Sequence, residues 1–270
     1  MALSYSQLRR YRTCPRQYEF SNVKKIPWGI SEGESFGSSA HNALKKWGEI
    51  ELGRREKGVG RRKQNDVRED QLVLFAGEAK PDIPSELTEE KLVALWHEAF
   101  IVDTYATRLE ADFARKRGEA MMRQYYRWWS LAPHKVLAIE KSFTEEIAGL
   151  SFSGRLDRVE ETEAGIVILD YKTSQPCTQD EADADLQLSL YALAARHLFE
   201  RPCIALTLLF LSDEGVLERT TTRSASQLKD AETQIRLIRE RLEAKDFRPT
   251  PSLPACKRCP YRGICDVAAV

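Results

Sequence analysis

Leu150–Ser174 reads LSFSGRLDRVEETEAGIVILDYKTS, and two adjacent β-strands account for it. The first strand carries Asp157, and the second ends in Asp170-Tyr171-Lys172. Side chains along a strand alternate faces, so Asp170 and Lys172 share one face and Tyr171 takes the other. If the strands pair, Asp157 meets them at one edge of the sheet. Two carboxylates and an ammonium converging there are poor packing and useful chemistry. Carboxylate oxygens suit Mg²⁺ or Mn²⁺, and a neighbouring lysine can steady developing charge or orient a water.

The surrounding sequence supplies a frame for this pair. Ile166-Val167-Ile168-Leu169 is apolar without alternation, which predicts a central strand covered on both faces. Upstream, Lys135–Ile147 predicts another strand, joined through an Ala148-Gly149 turn. Downstream, residues 174–182 read as a loop. Asp183 or Asp185 then starts a helix, DLQLSLYALAARHLF, on which Gln187 and Tyr191 share a face. Ile204–Leu211 and Val216–Arg223 form a hairpin, and Ser224 or Ser226 caps a last amphipathic helix through Lys245. A helical crossover after the site strands makes the sheet mixed. The predicted class is α/β, with a central mixed sheet flanked by helices.

The N-terminal half reads as helices. Ser4 or Ser6 caps one through Tyr11, stopped by Pro15. Lys24–Phe36 is loop-like, and Ser38 or Ser39 caps AHNALKKWGEIEL, with His41 near its start. Residues 53–85 read as a flexible charged insertion. Thr88–Ala132 is helical, with a break near Gly118. In EAMMRQYYRWWSL, the spacing of Met121, Tyr125, Trp128 and Trp129 favours core packing over base stacking.

The 270 residues fit one α/β domain with an insertion. A 42% apolar share supports a core, and a 30% charged share speaks for solubility. No apolar run reaches membrane-spanning length, and MALSYSQLRRYRTC lacks the apolar centre of a signal peptide. A cytoplasmic protein is the expectation. The net charge is zero, so any nucleic-acid partner must be read from local clusters. Arg9, Arg10, Arg12 and Arg16 form one; Lys257, Arg258 and Arg262 form another; Arg54, Arg55, Lys57, Arg61, Arg62 and Lys63 form a third.

There are six cysteines. Cys177 and Cys203 lack partners at ligand spacing and read as ordinary small residues. Cys14 with Cys256-x-x-Cys259-x(5)-Cys265 can bind zinc or an iron–sulfur cluster.

Asp157, Asp170 and Lys172 form D-x(n)-D-x-K, which resembles the PD-(D/E)XK nuclease superfamily. With His41 in GSSAHNAL, GRLDRVE, ILDYKTS and the Q-x-x-x-Y of Gln187 and Tyr191, the chain resembles the RecB-type branch. That resemblance implies a restriction-endonuclease-like fold in a single domain spanning 1–270. It implies His41, Asp157, Asp170 and the Tyr171 carbonyl as ligands of Mg²⁺ or Mn²⁺, and Lys172 as the catalytic lysine. Gln187 and Tyr191 would position DNA or the lysine. The one-plus-three cysteine arrangement is similar to AddB and CRISPR-associated members. It implies a [4Fe-4S] cluster on Cys14, Cys256, Cys259 and Cys265, joining the N-terminus to a C-terminal segment, 247–270.

The implied function is a metal-dependent DNA exonuclease that prefers single-stranded ends, in repair, recombination or end processing. A CRISPR-adaptation trimming nuclease and a non-cutting DNA-end-binding module are the alternatives. No G-x-x-x-x-G-K-[ST] motif is present, so unwinding would need a helicase or another nuclease subunit as partner. Within the insertion, Gln71-Leu72-Val73-Leu74-Phe75 resembles peptides that dock on the replicative sliding clamp.

Overall fold

The computed structural model describes residues 2–58 and 85–269. Its centre is a six-stranded sheet. The strands are β1 (Leu3–Ser4), β2 (Val136–Ile147), β3 (Leu150–Glu161), β4 (Ile166–Lys172), β5 (Cys203–Leu211) and β6 (Val216–Thr221). They run in the order β1-β3-β4-β5-β6, with β2 also on β3. Ala148 and Gly149 both have positive φ, 51° and 79°, the twist a two-residue hairpin requires. The turn sets β2 and β3 antiparallel from Ile147↔Leu150 to Ile139↔Arg158. β4 is antiparallel to β3 and parallel to β5, so the mixed sheet is present.

Helices cover both faces. On one lie α1 (Tyr5–Thr13), α7 (Leu186–Leu198) and α8 (Ala225–Glu243); on the other lie α3 (Glu32–Gly58), α4 (Glu89–Ala99) and α5 (Arg108–Trp129). The period of the strands sorts side chains between two cores. Ile166 and Ile168 join Leu188, Leu190 and Ile235 in the first. Leu169 and Tyr171 join Trp47, Trp96 and Tyr125 in the second. The apolar run of β4 is thus covered on both faces, and the aromatic segment of α5 is core.

Several boundaries differ from expectation. α3 begins at Glu32 rather than near Ser38, because Ser31 and Glu34 exchange reciprocal capping bonds of 2.9 and 3.2 Å. His41 therefore sits in the third turn. The helical break lies at 100–107, where Thr107 and Glu110 form a capping box for α5. Gly118 is inside α5, not at a break. A Cβ there would overlap the buried Trp96 ring, so glycine is what lets α4 and α5 approach. Gly118→Ala is expected to cost about 3 kcal/mol, read from urea denaturation. Residues 174–182 contain α6 (Gln179–Asp183), capped by Thr178.

Pro15 does end α1, and it also opens α2 (Pro15–Tyr18), with Cys14 as the hinge between them. The C-terminal tail, with α9 (Leu253–Lys257), returns to these helices. Tyr11 donates to the Asp246 carbonyl at 2.7 Å, and Thr250 to the Thr13 carbonyl at 3.2 Å. Among the described residues, no helix is long and apolar enough to cross a membrane.

Candidate active site

β3 and β4 pair from Glu161↔Ile166 as far as Arg158↔Leu169. One step beyond stand Asp157 and Asp170, where the Asp157 side chain replaces the ladder. Its Oδ2 accepts from the Tyr171 N–H at 2.9 Å. Asp157 and Asp170 are both buried, so this edge is rigid. α3 brings His41 alongside, with Nδ1 3.4 Å from Asp157 Oδ1. Gly37, one turn earlier, lets α3 pass close to the end of β4: a Cβ there would lie 3.2 Å from Thr173 Oγ1.

Lys172 and Asp170, two residues apart on one strand face, form an ion pair. α7 completes their shell. Gln187 accepts from Lys172 Nζ at 3.0 Å and donates to Asp170 Oδ1 at 3.0 Å and to Tyr191 Oη at 2.7 Å. Tyr191 in turn donates to Asp170 Oδ1 at 3.2 Å. The side chain of Tyr171 points into the opposite core, 3.2 Å from the Tyr125 hydroxyl. Only its backbone faces the site.

One acidic residue here was absent from the sequence reading. Glu140 of β2 lies between the pairs Ile139↔Arg158 and Lys141↔Leu156, hence opposite Asp157. It has φ of 50°, a left-handed conformation that is costly for a side-chain-bearing residue. β3 is irregular at the same level. Leu156 and Val159 enter the same core, whereas strict alternation would separate them, and Arg158 reaches to Glu51 on α3. Such irregularities re-aim side chains. Here they place ligand atoms of His41, Glu140 and Asp157 within 4.8 Å of one another. Counting back from the Ala148-Gly149 turn would have found Glu140.

The charges are coupled. Burial raises the Asp170 pKa, and the Asp157 charge adds to this against the pull of Lys172. Burial and then Asp157 likewise raise Glu140, which also pairs with Arg155. Burial pulls His41 down, but its hydrogen bond to Asp157 and the surrounding carboxylates outweigh that and raise it. Burial also opposes the Lys172 charge, and Asp170 more than restores it, leaving the pKa raised. Buried carboxylates that resist ionising together are relieved by a dication. An imidazole and two carboxylates suit Mg²⁺ or Mn²⁺. Six sequence-identified side chains, His41, Asp157, Asp170, Lys172, Gln187 and Tyr191, line one open cleft of about 910 Å³.

Cys14, Cys256, Cys259 and Cys265 line a single separate cavity. All are free thiols, and no three of their sulfurs lie within 4.8 Å of one another. Burial raises the Cys259 thiol pKa, with the other three cysteines adding to it. Cys177 packs at the edge of the first core. Burial pushes the Cys203 thiol up to about 11, so neither is activated. The basic clusters divide. Arg9 and Arg10 line a groove with Arg258, whereas Arg16 pairs with Glu19 and Asp266. The Gln71–Phe75 peptide lies outside the described residues.

The fold is similar to the crystal structure of SSO0001, with 17% identity, a TM-score of 0.36 and coverage of 49% of this chain. The match spans 61% of that chain's length. A second similar structure, from Eubacterium rectale, is named "Putative exonuclease". It shares 11% identity at a TM-score of 0.48, covering 91% of this chain and 81% of that one. No curated protein matches the sequence. The model of one nuclease family matches residues 2–266. That model covers nearly the whole chain, sheet and flanking helices alike: the chain belongs to the PD-(D/E)XK nuclease superfamily.

Proposed function

We propose that this chain is a RecB-type DNA exonuclease that cuts single-stranded ends with Mg²⁺ or Mn²⁺, in DNA repair or end processing. The observation that carries the reading is the meeting of His41, Glu140 and Asp157 beside the Asp170–Lys172 pair in one open cleft. His41, Glu140 and Asp157 would hold the ion, with Asp170 and the Tyr171 carbonyl adjoining. A bound dication lowers the pKa of water and offsets charge on the phosphate oxygens.

The protein's own groups have distinct tasks. Lys172 is held as an ammonium by Asp170, so it acts as a cation beside the reacting phosphate and not as a base. Gln187 fixes both members of that pair through opposite ends of one amide. Tyr191 limits the freedom of Gln187 and Asp170 together. Digestion of 5′- and 3′-end-labelled single strands with each metal tests the proposal. Full-length product after prolonged incubation of anaerobically prepared protein would refute it. Glu140→Gln is expected to weaken Mn²⁺ binding at least about tenfold, measured by calorimetry without DNA.

The thiol cavity supports a [4Fe-4S] cluster as the resident group. Structural zinc sites usually draw on two close cysteine pairs, whereas these ligands come as one remote cysteine and three clustered ones. A cluster there would tie α1 to the tail and close almost the entire chain into a loop, constraining the unfolded state. The test is a brown visible absorption in anaerobic protein that Cys259→Ser removes. A colourless wild type with bound zinc would overturn the assignment. The Gln71–Phe75 peptide remains a proposed clamp ligand; Leu74 and Phe75 replaced by Ala should abolish clamp capture and leave cutting intact.

A further inference from the structure

The cleft at the metal-ligand residues does not end there. Ser6, Arg9, Trp28 and Glu34 line both it and a second groove of about 750 Å³ that runs toward the cysteine-bearing tail. The two differ in charge. The first mixes Asp157, Asp170 and Glu34 with Arg9, Arg155 and Lys172, whereas the second sets Arg9, Arg10 and Arg258 against Glu34 alone. A polyanion therefore gains most in the second groove.

Trp28 stands where they meet. It lies in the connector between the N-terminal helices and α3, and it keeps 36% of its surface exposed. Large indoles are usually better covered than this. Nearby Ile30, also lining the cleft, is 66% exposed. The ring is nonetheless held firmly. The Arg10 guanidinium sits over one face, 4.5 Å from the centroid. The Tyr261 ring meets it edge-on at 6.1 Å. Tyr261 is itself buried, packs on Phe20 at 5.4 Å and donates to the Ile26 carbonyl at 2.9 Å. An exposed aromatic ring backed by a guanidinium, beside arginines and a nearby cleft, has the composition of a single-strand platform. A base offers a π-face to the ring, and the phosphates on either side meet Arg9 and Arg258.

We infer that Trp28 is a nucleobase-stacking residue that grips single-stranded DNA between the arginine-lined groove and the metal-ligand cleft. Duplex DNA keeps its bases stacked on one another and presents none to the indole, so the grip selects for single strands. Tyr261 lies between Cys259 and Cys265 in the chain, so the cysteine-bearing tail positions this platform. The inference deepens the nuclease reading and rests on it for the choice of DNA.

The two are separable by measuring binding in EDTA, where no cutting is needed. Full-length protein is titrated into fluorescein-labelled oligothymidine, single-stranded or annealed to oligoadenine, and anisotropy is read. Trp28→Ala should raise the single-strand Kd about 5- to 100-fold and leave the duplex Kd unchanged. Trp28→Phe, which keeps a π-face, should stay within about threefold of wild type. An unchanged single-strand Kd for Trp28→Ala, or an equal loss for duplex, would overturn the inference. So would a Trp28→Phe protein that melts like wild type but binds as weakly as the alanine variant. A wild type that binds single strands through Trp28 but cuts nothing with Mg²⁺ or Mn²⁺ would refute the nuclease reading alone.

Discussion

Lys172→Ala is expected to lower kcat on single-stranded DNA by about 10²–10³-fold, the range for removing one preorganised charge-stabilising donor. The size follows from how Lys172 is held. Its ammonium is anchored by Asp170 and by Gln187 at 3.0 Å, so it is in place before substrate arrives and no reorganisation accompanies the reaction. Metal binding should respond in the opposite direction. Removing the ammonium leaves Asp170 without its cation, so Mn²⁺ affinity should hold or tighten. Gln187→Ala should cost less, about tenfold, because it frees Lys172 and Asp170 without removing either. Single-turnover cutting and calorimetry of the same proteins separate these effects. A Lys172→Ala protein that cuts at the wild-type rate would remove the lysine from the chemistry. One that loses Mn²⁺ binding would show that the lysine shapes the ligand set instead.

Arg158→Ala is expected to cost about 3–5 kcal/mol of folding stability, a large part of the roughly 5–15 kcal/mol typical of a domain. Arg158 is fully buried. Its guanidinium holds Glu51 of α3 through two bonds of 2.6 and 3.0 Å and Glu160 through one of 2.6 Å. Trp129 donates to Glu51 at 2.7 Å, and His134 lies 2.9 Å from Glu160. Alanine would strand two carboxylates that have little access to water. Burial works to raise the Glu160 pKa, yet His134 and Arg158 together lower it from 4.5 to about 2. Its stabilisation is therefore present above 4.5 and lost as the pH falls toward 2. Urea denaturation between neutral and acid pH should show this loss in wild type and a smaller one in Arg158→Ala. A variant with the wild-type midpoint and acid dependence would place the stabilising burden elsewhere.

The network also bears on the site. Arg158 follows Asp157 directly in the chain, so the bonds that lock it to α3 fix the position of Asp157 on β3. They also hold α3, which carries His41, against the sheet. One buried guanidinium thus secures two of the metal-ligand candidates without touching an ion.

Much of the site was legible because its spacing is local. Asp170 and Lys172 share a face by the period of a strand, and Gln187 and Tyr191 share one by the period of a helix. Neither depends on the rest of the protein. The helix caps at Ser4, Asp185 and Ser224 were legible for the same reason. Ser31 is not legible as a cap because Pro27, Gly29 and Gly33 suggest a loop there. Gly33 and Gly37 sit within α3, and Gly37 admits Thr173 just past the end of β4. Gly118 misled in the same way: its purpose is the Trp96 ring of another helix, which no window of sequence around it contains.

Glu140 and Trp28 mark the boundary of sequence reading. Each is a common residue in an unremarkable stretch, and each acquires its significance from neighbours more than fifteen residues away in the chain. By itself the sequence determined the mixed sheet, the carboxylate pair at its edge, the lysine beside them and the nuclease family they resemble. Periodicity and short motifs encode those features along the chain. Only the tertiary structure decided that α3 sets His41 beside the Glu140 and Asp157 carboxylates, and that Trp28 stands between a basic groove and the metal-ligand cleft. Those are coincidences in space, set by hairpin register, helix packing and the return of the tail to the N-terminal helices.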